Sequence, residues 1–148
     1  MKSYKDIRHL IKHGDTFATA SPALFSRLIR LFTRSKVSHV GVFVGVGDRL
    51  YIVEAMEGSG VRAMPASTRF EEEKLSVYRG GNLDEELVQK DIGRKYDLKG
   101  ALLANYKDTK SDKKFCSEAV ARWLKLDFSH LNRGILPSDI CSKLNRVV

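Results

Sequence analysis

Cysteine is scarce in this chain: Cys116 and Cys141 are the only two among 148 residues. Two cannot build a disulfide framework, so both are read as free thiols and nothing points to an oxidising compartment. Long apolar runs are missing as well. No window approaches the ~18 consecutive apolar residues of a membrane span. The N-terminal stretch MKSYKDIRHLIKHGD has no apolar h-region and no small-residue cleavage site, so no secretory signal is expected. Synthesis in the cytoplasm follows as the expectation, with any release by lysis or a dedicated delivery system. Repeats, linkers and low-complexity tracts are absent too, which leaves one globular domain over 1–148. Negative charge is in short supply. The net charge is +8, and the excess lies in residues 1–50, with nine Lys/Arg against three Asp/Glu, and in 101–148, with nine against five. Such a surface favours anionic partners, among them acidic lipids and cell-wall polymers. Nucleic acid is not expected, because no recognition module or regularly placed aromatics accompany the charge.

What is present reads as an α+β pattern. Residues 4–13 place Tyr4, Ile7, Leu10 and Ile11 on one side of a helix that Gly14 would stop. GDTFATA (14–20) reads as a short extended piece. In SPALFSRLIRLFTRSK (21–36), Ser21 and Pro22 open a helix whose apolar residues alternate with Arg27, Arg30 and Arg34. A core helix with a solvated basic face is the favoured reading; a helix lying on an anionic membrane or polymer is the other. Strands are expected over 37–46 and 49–56, joined at Gly47-Asp48, with shorter ones in GVRAMP and LSVYRG. Helices are expected over 83–95, over 97–106, from FCSEAV onward, and from Pro137. KDTKSDKK (107–114) reads as an exposed loop. An antiparallel sheet packed by helices follows.

His39 interrupts the valine-rich strand KVSHVGVFVG and needs either a partner or a task. With the turn at Gly47-Asp48, residues whose numbers add to about 95 face each other, which brings Glu54 close to His39 on one face. A buried carboxylate is costly unless paired, and an imidazolium would pair it. Cys116 lies in the first turn of a helix whose apolar face is Cys116, Ala119, Val120, Trp123 and Leu124. The free N–H groups and partial positive charge there stabilise a thiolate. They could also hold an oxyanion. Cys116 as nucleophile, His39 as base and Glu54 as its orienting residue is the functional reading. Cys141, inside the last helix, is read as packing. A zinc site at His9 and His13 in HLIKH lacks the glutamate of a metalloprotease helix and any CxxC pair, so no metal or other cofactor is expected.

The ordered set GDT (14–16), SHVGVFVG (38–45), VEA (53–55), GRKYD (93–97), FCSEAV (115–120) and PSD (137–139) resembles the circularly permuted papain-like hydrolases of the NlpC superfamily, in their YiiX-like branch, related to lecithin:retinol acyltransferase-like enzymes. The likeness runs from about Gly14 to Asp139. It implies a permuted papain-like α+β fold, with the nucleophilic cysteine at the head of a helix packed on an antiparallel sheet. It also implies Cys116, His39 and Glu54 as the catalytic set, and Tyr96 as support for substrate or oxyanion. The mechanism implied is acyl transfer from an amide, ester or thioester, and the family has no single common substrate. A cysteine hydrolase that cleaves an amide bond, in a peptidoglycan peptide or another peptide, through an acyl-enzyme thioester is the leading reading. A lipid acyltransferase or thioesterase on the same three residues is the first alternative, and a non-catalytic binding module the second.

Overall fold

In a computed structural model of the chain, residues 1–20, 36–56, 59–71, 73–95, 116–132 and 134–148 are described. The amphipathic segment 21–35, Tyr96, the helix expected over 97–106 and the 107–114 loop lie outside the described residues.

Strands β2 (His39–Val46) and β3 (Arg49–Met56) form the hairpin that the sequence announces. Val46 faces Arg49 and Val42 faces Val53, the register set by a two-residue turn in which Gly47 has φ +60°. Next to β3 lies β4 (Gly60–Pro65). On its other side β2 pairs with β1 (Thr16–Thr19) and β1 with β5 (Leu75–Arg79), whose outer edge carries the two-residue β6 (Asn145–Arg146). The result is a six-stranded antiparallel sheet in the order β4-β3-β2-β1-β5-β6. GDTFATA, expected only as an extended piece, supplies one of its inner strands. All four residues of β1 are buried, so it shows none of the polar alternation that marks a half-exposed strand.

Successive side chains of β2 alternate between two cores. Val40 and Val42 join Val53 and Ala55 under α4 (Cys116–Trp123) and α5 (Pro137–Lys143), where Val120, Trp123 and Ile140 close the cluster. Phe43 points the other way, to Phe17, Ile52, Leu75 and Val77 under α1 (Tyr4–Ile7) and α2 (Ala66–Arg69), with Tyr4, Ile7 and Phe70 as the cover. Both faces are therefore covered, which is why the strand reads as nearly continuous valine. Gly41 is required by close approach: a Cβ there would lie 2.5 Å from the Phe17 ring and 2.7 Å from the Val53 carbonyl oxygen. Phe17 in turn stacks edge-on against Phe43 and Phe70, at 5.6 and 5.0 Å between ring centres.

Two helices are shorter than their apolar patterns. The helix expected over 4–13 ends at Ile7 and tightens into a 3-10 turn at Arg8–Leu10. The Asp15 carboxylate accepts a hydrogen bond from the Lys12 backbone N–H at 2.8 Å, a local alternative to helix that the apolar periodicity does not reveal. His9 and His13 consequently do not share a helical face, and His13 instead accepts from the Gly45 N–H at 3.2 Å. The 83–95 helix is reduced to α3 (Glu85–Asp91), capped by the Asp84 side chain on the Leu87 N–H.

Candidate active site

Glu54 occupies the inner part of β3 with no solvent contact at all. An ionised carboxylate tolerates that position only when its oxygens are fully engaged. They are. Oε2 lies 2.9 Å from Nε2 of His39. Oε1 accepts from Arg62, its cross-strand partner on β4, through Nε at 3.1 Å and Nη2 at 2.7 Å. Arg69, the last residue of α2, donates its Nε to Oε1 at 3.0 Å and to Oε2 at 3.1 Å. His39 and the two arginines hold the Glu54 carboxyl down at about 2 although burial alone would raise it.

His39 is the first residue of β2 and is itself buried. Its ring packs 6.0 Å from that of Phe17, made possible by the glycine two residues on. With Nε2 on Glu54, Nδ1 is the nitrogen left for the thiol of Cys116, which hydrogen-bonds the ring. Burial would lower the His39 pKa. The Cys116 sulfur, and after it Glu54, outweigh that effect and push it up to about 9.

Cys116 opens α4 and points into the core, leaving 6% of its surface exposed. Burial raises a thiol pKa. Here the His39 ring, acting as donor and as charge, together with the backbone N–H groups of Val40 and Ser117, outweighs burial and brings the thiol below its ordinary value. The head of α4 is fixed by Ser117, whose hydroxyl donates to the Ile135 carbonyl at 2.5 Å. The PSD stretch that follows is a helix start: the Asp139 carboxylate accepts from the Leu136 N–H at 2.8 Å. Cys141 has the opposite setting. It sits half-buried on α5 against Tyr78, and burial pushes its thiol up to about 11.

Three of the four residues expected at the site, Cys116, His39 and Glu54, are thus brought together, and Tyr96 falls outside the described residues. Arg62 and Arg69 were missed. Arg62 could have been found by carrying the register one strand further, since GVRAMP places it across from Glu54. Arg69 arrives from a four-residue helix that no periodicity announces.

A crystal structure of YiiX, a metalloprotein from Escherichia coli O157:H7 (DUF1105), matches 93% of this chain over 96% of its own, with a TM-score of 0.68 and 21% sequence identity. The chain shares the fold of YiiX. No protein-family model matches the chain and no curated protein does. At that identity the likeness to YiiX speaks for architecture, and the chemistry rests on the side chains just described.

Proposed function

We propose that this protein is a cysteine hydrolase with a permuted papain-like, NlpC-type fold, in which Cys116 is the nucleophile, His39 the base and acid, and Glu54 the residue that holds His39. One observation carries the reading: a single imidazole is shared between a thiol at a helix head and a buried carboxylate. Nothing in the packing of a β-strand calls for that arrangement.

The Cys116 thiolate attacks the carbonyl carbon of an amide, forming a C–S bond and an oxyanion. Backbone N–H groups at the head of α4 stabilise that charge. The C–N bond breaks as the imidazolium gives its Nδ1 proton to the leaving amine, and a thioester remains. Water then attacks the thioester while Nδ1 takes its proton. The C–S bond breaks, the acid leaves and the thiolate is restored. Throughout, Nε2–H stays directed at Glu54, which fixes the ring and its tautomer.

YiiX is described as a metalloprotein. In this chain Nε2 of His39 is engaged by Glu54, and among the described residues no group of three or more His, Cys, Asp or Glu side chains is placed to hold a metal ion. No step is assigned to a metal.

The substrate class proposed is an amide in a peptide, with cell-wall peptides as the anionic, extended candidate that suits a net charge of +8. Purified peptidoglycan and a peptide library, incubated with wild type and Cys116→Ala and read by mass spectrometry, test this. New amine ends and a transient protein adduct at Cys116, both missing in the variant, are the expected result. Cleavage of acyl esters or thioesters on anionic vesicles with no amide cleavage would replace the amidase reading by the lipid one. Absence of any adduct would leave a binding module.

A further inference from the structure

Glu54 has more partners than a residue that merely orients a histidine needs. The contact from Oε2 to His39 Nε2, at 2.9 Å, already aligns the ring. Yet four further hydrogen bonds reach the same carboxylate from Arg62 and Arg69, on two different elements. Arg69 is in turn held by Glu73 and lies 5.2 Å over the Phe70 ring, so its fork is fixed from behind.

We propose that Arg62 and Arg69 are positioning residues of this site: they keep Glu54 ionised and acceptor-only throughout the cycle, so that His39 exchanges its proton with thiol, substrate and water at Nδ1 and never with Glu54. The inference rests on the cysteine-hydrolase reading. Its reason is the charge change that the reading requires. Each time the imidazolium gives up its proton, Glu54, which has no solvent contact of its own, loses a counter-charge. A buried carboxylate left that way gains affinity for protons. Were Glu54 to take the Nε2 proton, the neutral ring would carry its hydrogen on Nδ1 and could no longer accept one from water or thiol. Two guanidinium groups, which do not titrate in this range, remove that outcome.

The charged groups around Glu54 are His39 from β2, Arg62 from β4, Arg69 from α2 and Glu73 beyond it, with Cys116 of α4 on the far side of the imidazole. The thiolate–imidazolium pair is neutral as a whole. The arginines therefore act on it chiefly through Glu54 rather than through their own field.

The test is the pH dependence of Cys116 alkylation by iodoacetamide, read by peptide mass spectrometry, in wild type, Arg62→Gln, Arg69→Gln and Arg69→Lys. Cys141 serves as internal reference, and circular dichroism checks the fold. In each Gln variant the midpoint for Cys116 is expected to move up by about one unit. At a fixed pH below it, labelling then slows about tenfold, since one unit is a factor of ten in thiolate fraction. Arg69→Lys keeps the charge without the fork and recovers part of the shift. Cys141 labels as before. Folded Gln variants that keep a low wild-type midpoint would overturn the inference while leaving the Cys–His pair intact. An ordinary midpoint in wild type, near pH ~8.5, would overturn both. If Arg69→Gln does not fold, Arg62→Gln decides alone, its side chain being 35% exposed against 12% for Arg69.

Discussion

At the scale of single residues, the buried charge on Glu54 sets the terms for its neighbours. Glu54→Ala would strand two arginines and an imidazolium around an apolar gap, and breaking a buried ion cluster from its centre costs about 3–5 kcal/mol. His39→Ala is a different case, because Glu54 keeps four hydrogen bonds from Arg62 and Arg69 when the ring is gone. Thermal unfolding should therefore rank wild type, then His39→Ala, then Glu54→Ala, with both variants inactive. Equal losses in the two variants would mean that the arginines do not support the carboxylate. The two thiols differ for equally local reasons. His39 brings the Cys116 thiol below its ordinary value, whereas burial pushes Cys141 up to about 11 although the hydrogen bond to Tyr78 works the other way. Alkylation at pH 7 is expected to mark Cys116 first, and Cys141→Ser should stay active. A folded but inactive Cys141→Ser would overturn the proposed assignment of the chemistry to Cys116.

At the scale of elements, a second buried carboxylate ties the sheet to its N-terminal segment. Asp15 accepts from both Nε and Nη2 of Arg79, each at 2.7 Å, as well as from the Lys12 N–H, and so links the start of β1 to β5. Asp15→Ala is expected to cost about 2 kcal/mol, the scale of charge-assisted hydrogen bonds, without moving the midpoint for Cys116 alkylation. Denaturant titration together with the labelling curve checks both halves; a shifted midpoint would couple this clamp to the site. How far the elements were legible in sequence follows from the range of the forces that set them. The β2–β3 hairpin could be read, register included, because a two-residue turn fixes pairing locally. With it came the nearness of His39 and Glu54. The head of α4 was legible from helical spacing, and PSD from its proline. The early end of the first helix was not, because the group responsible is Asp15, whose carboxylate is fixed by Arg79 from 64 residues away. The inner position of β1 was equally hidden, since four uniformly buried residues carry no periodicity of their own. The same holds for Arg69: its role depends on where a four-residue helix lands against the sheet.

At the scale of the whole molecule, the site should be visible in the pH dependence of stability. The Glu54 carboxyl lies at about 2 in the folded chain against an ordinary 4.5. A depressed carboxyl contributes stability that is complete above the unfolded value and is lost as pH falls through the folded one. The window is therefore from about 4.5 down to about 2, and the contribution is on the order of 3 kcal/mol for a group this deeply buried. His39 acts at the other end. Raised from 6.5 to about 9, it contributes stability below pH 6.5 that is lost as pH rises through about 9. Cys116 opposes that loss, because a lowered thiol pKa contributes stability that grows as pH rises toward 9. The alkaline side is thus a near-cancellation, and the acid side isolates Glu54. Melting temperatures between pH 2.5 and 6 should fall steeply with acid in wild type and less steeply in Glu54→Gln, which starts lower but has no carboxyl at this position to protonate. Parallel slopes would show that Glu54 is not held as a buried anion. The shared imidazole would then lose the fixed acceptor on which its proposed role as a base depends.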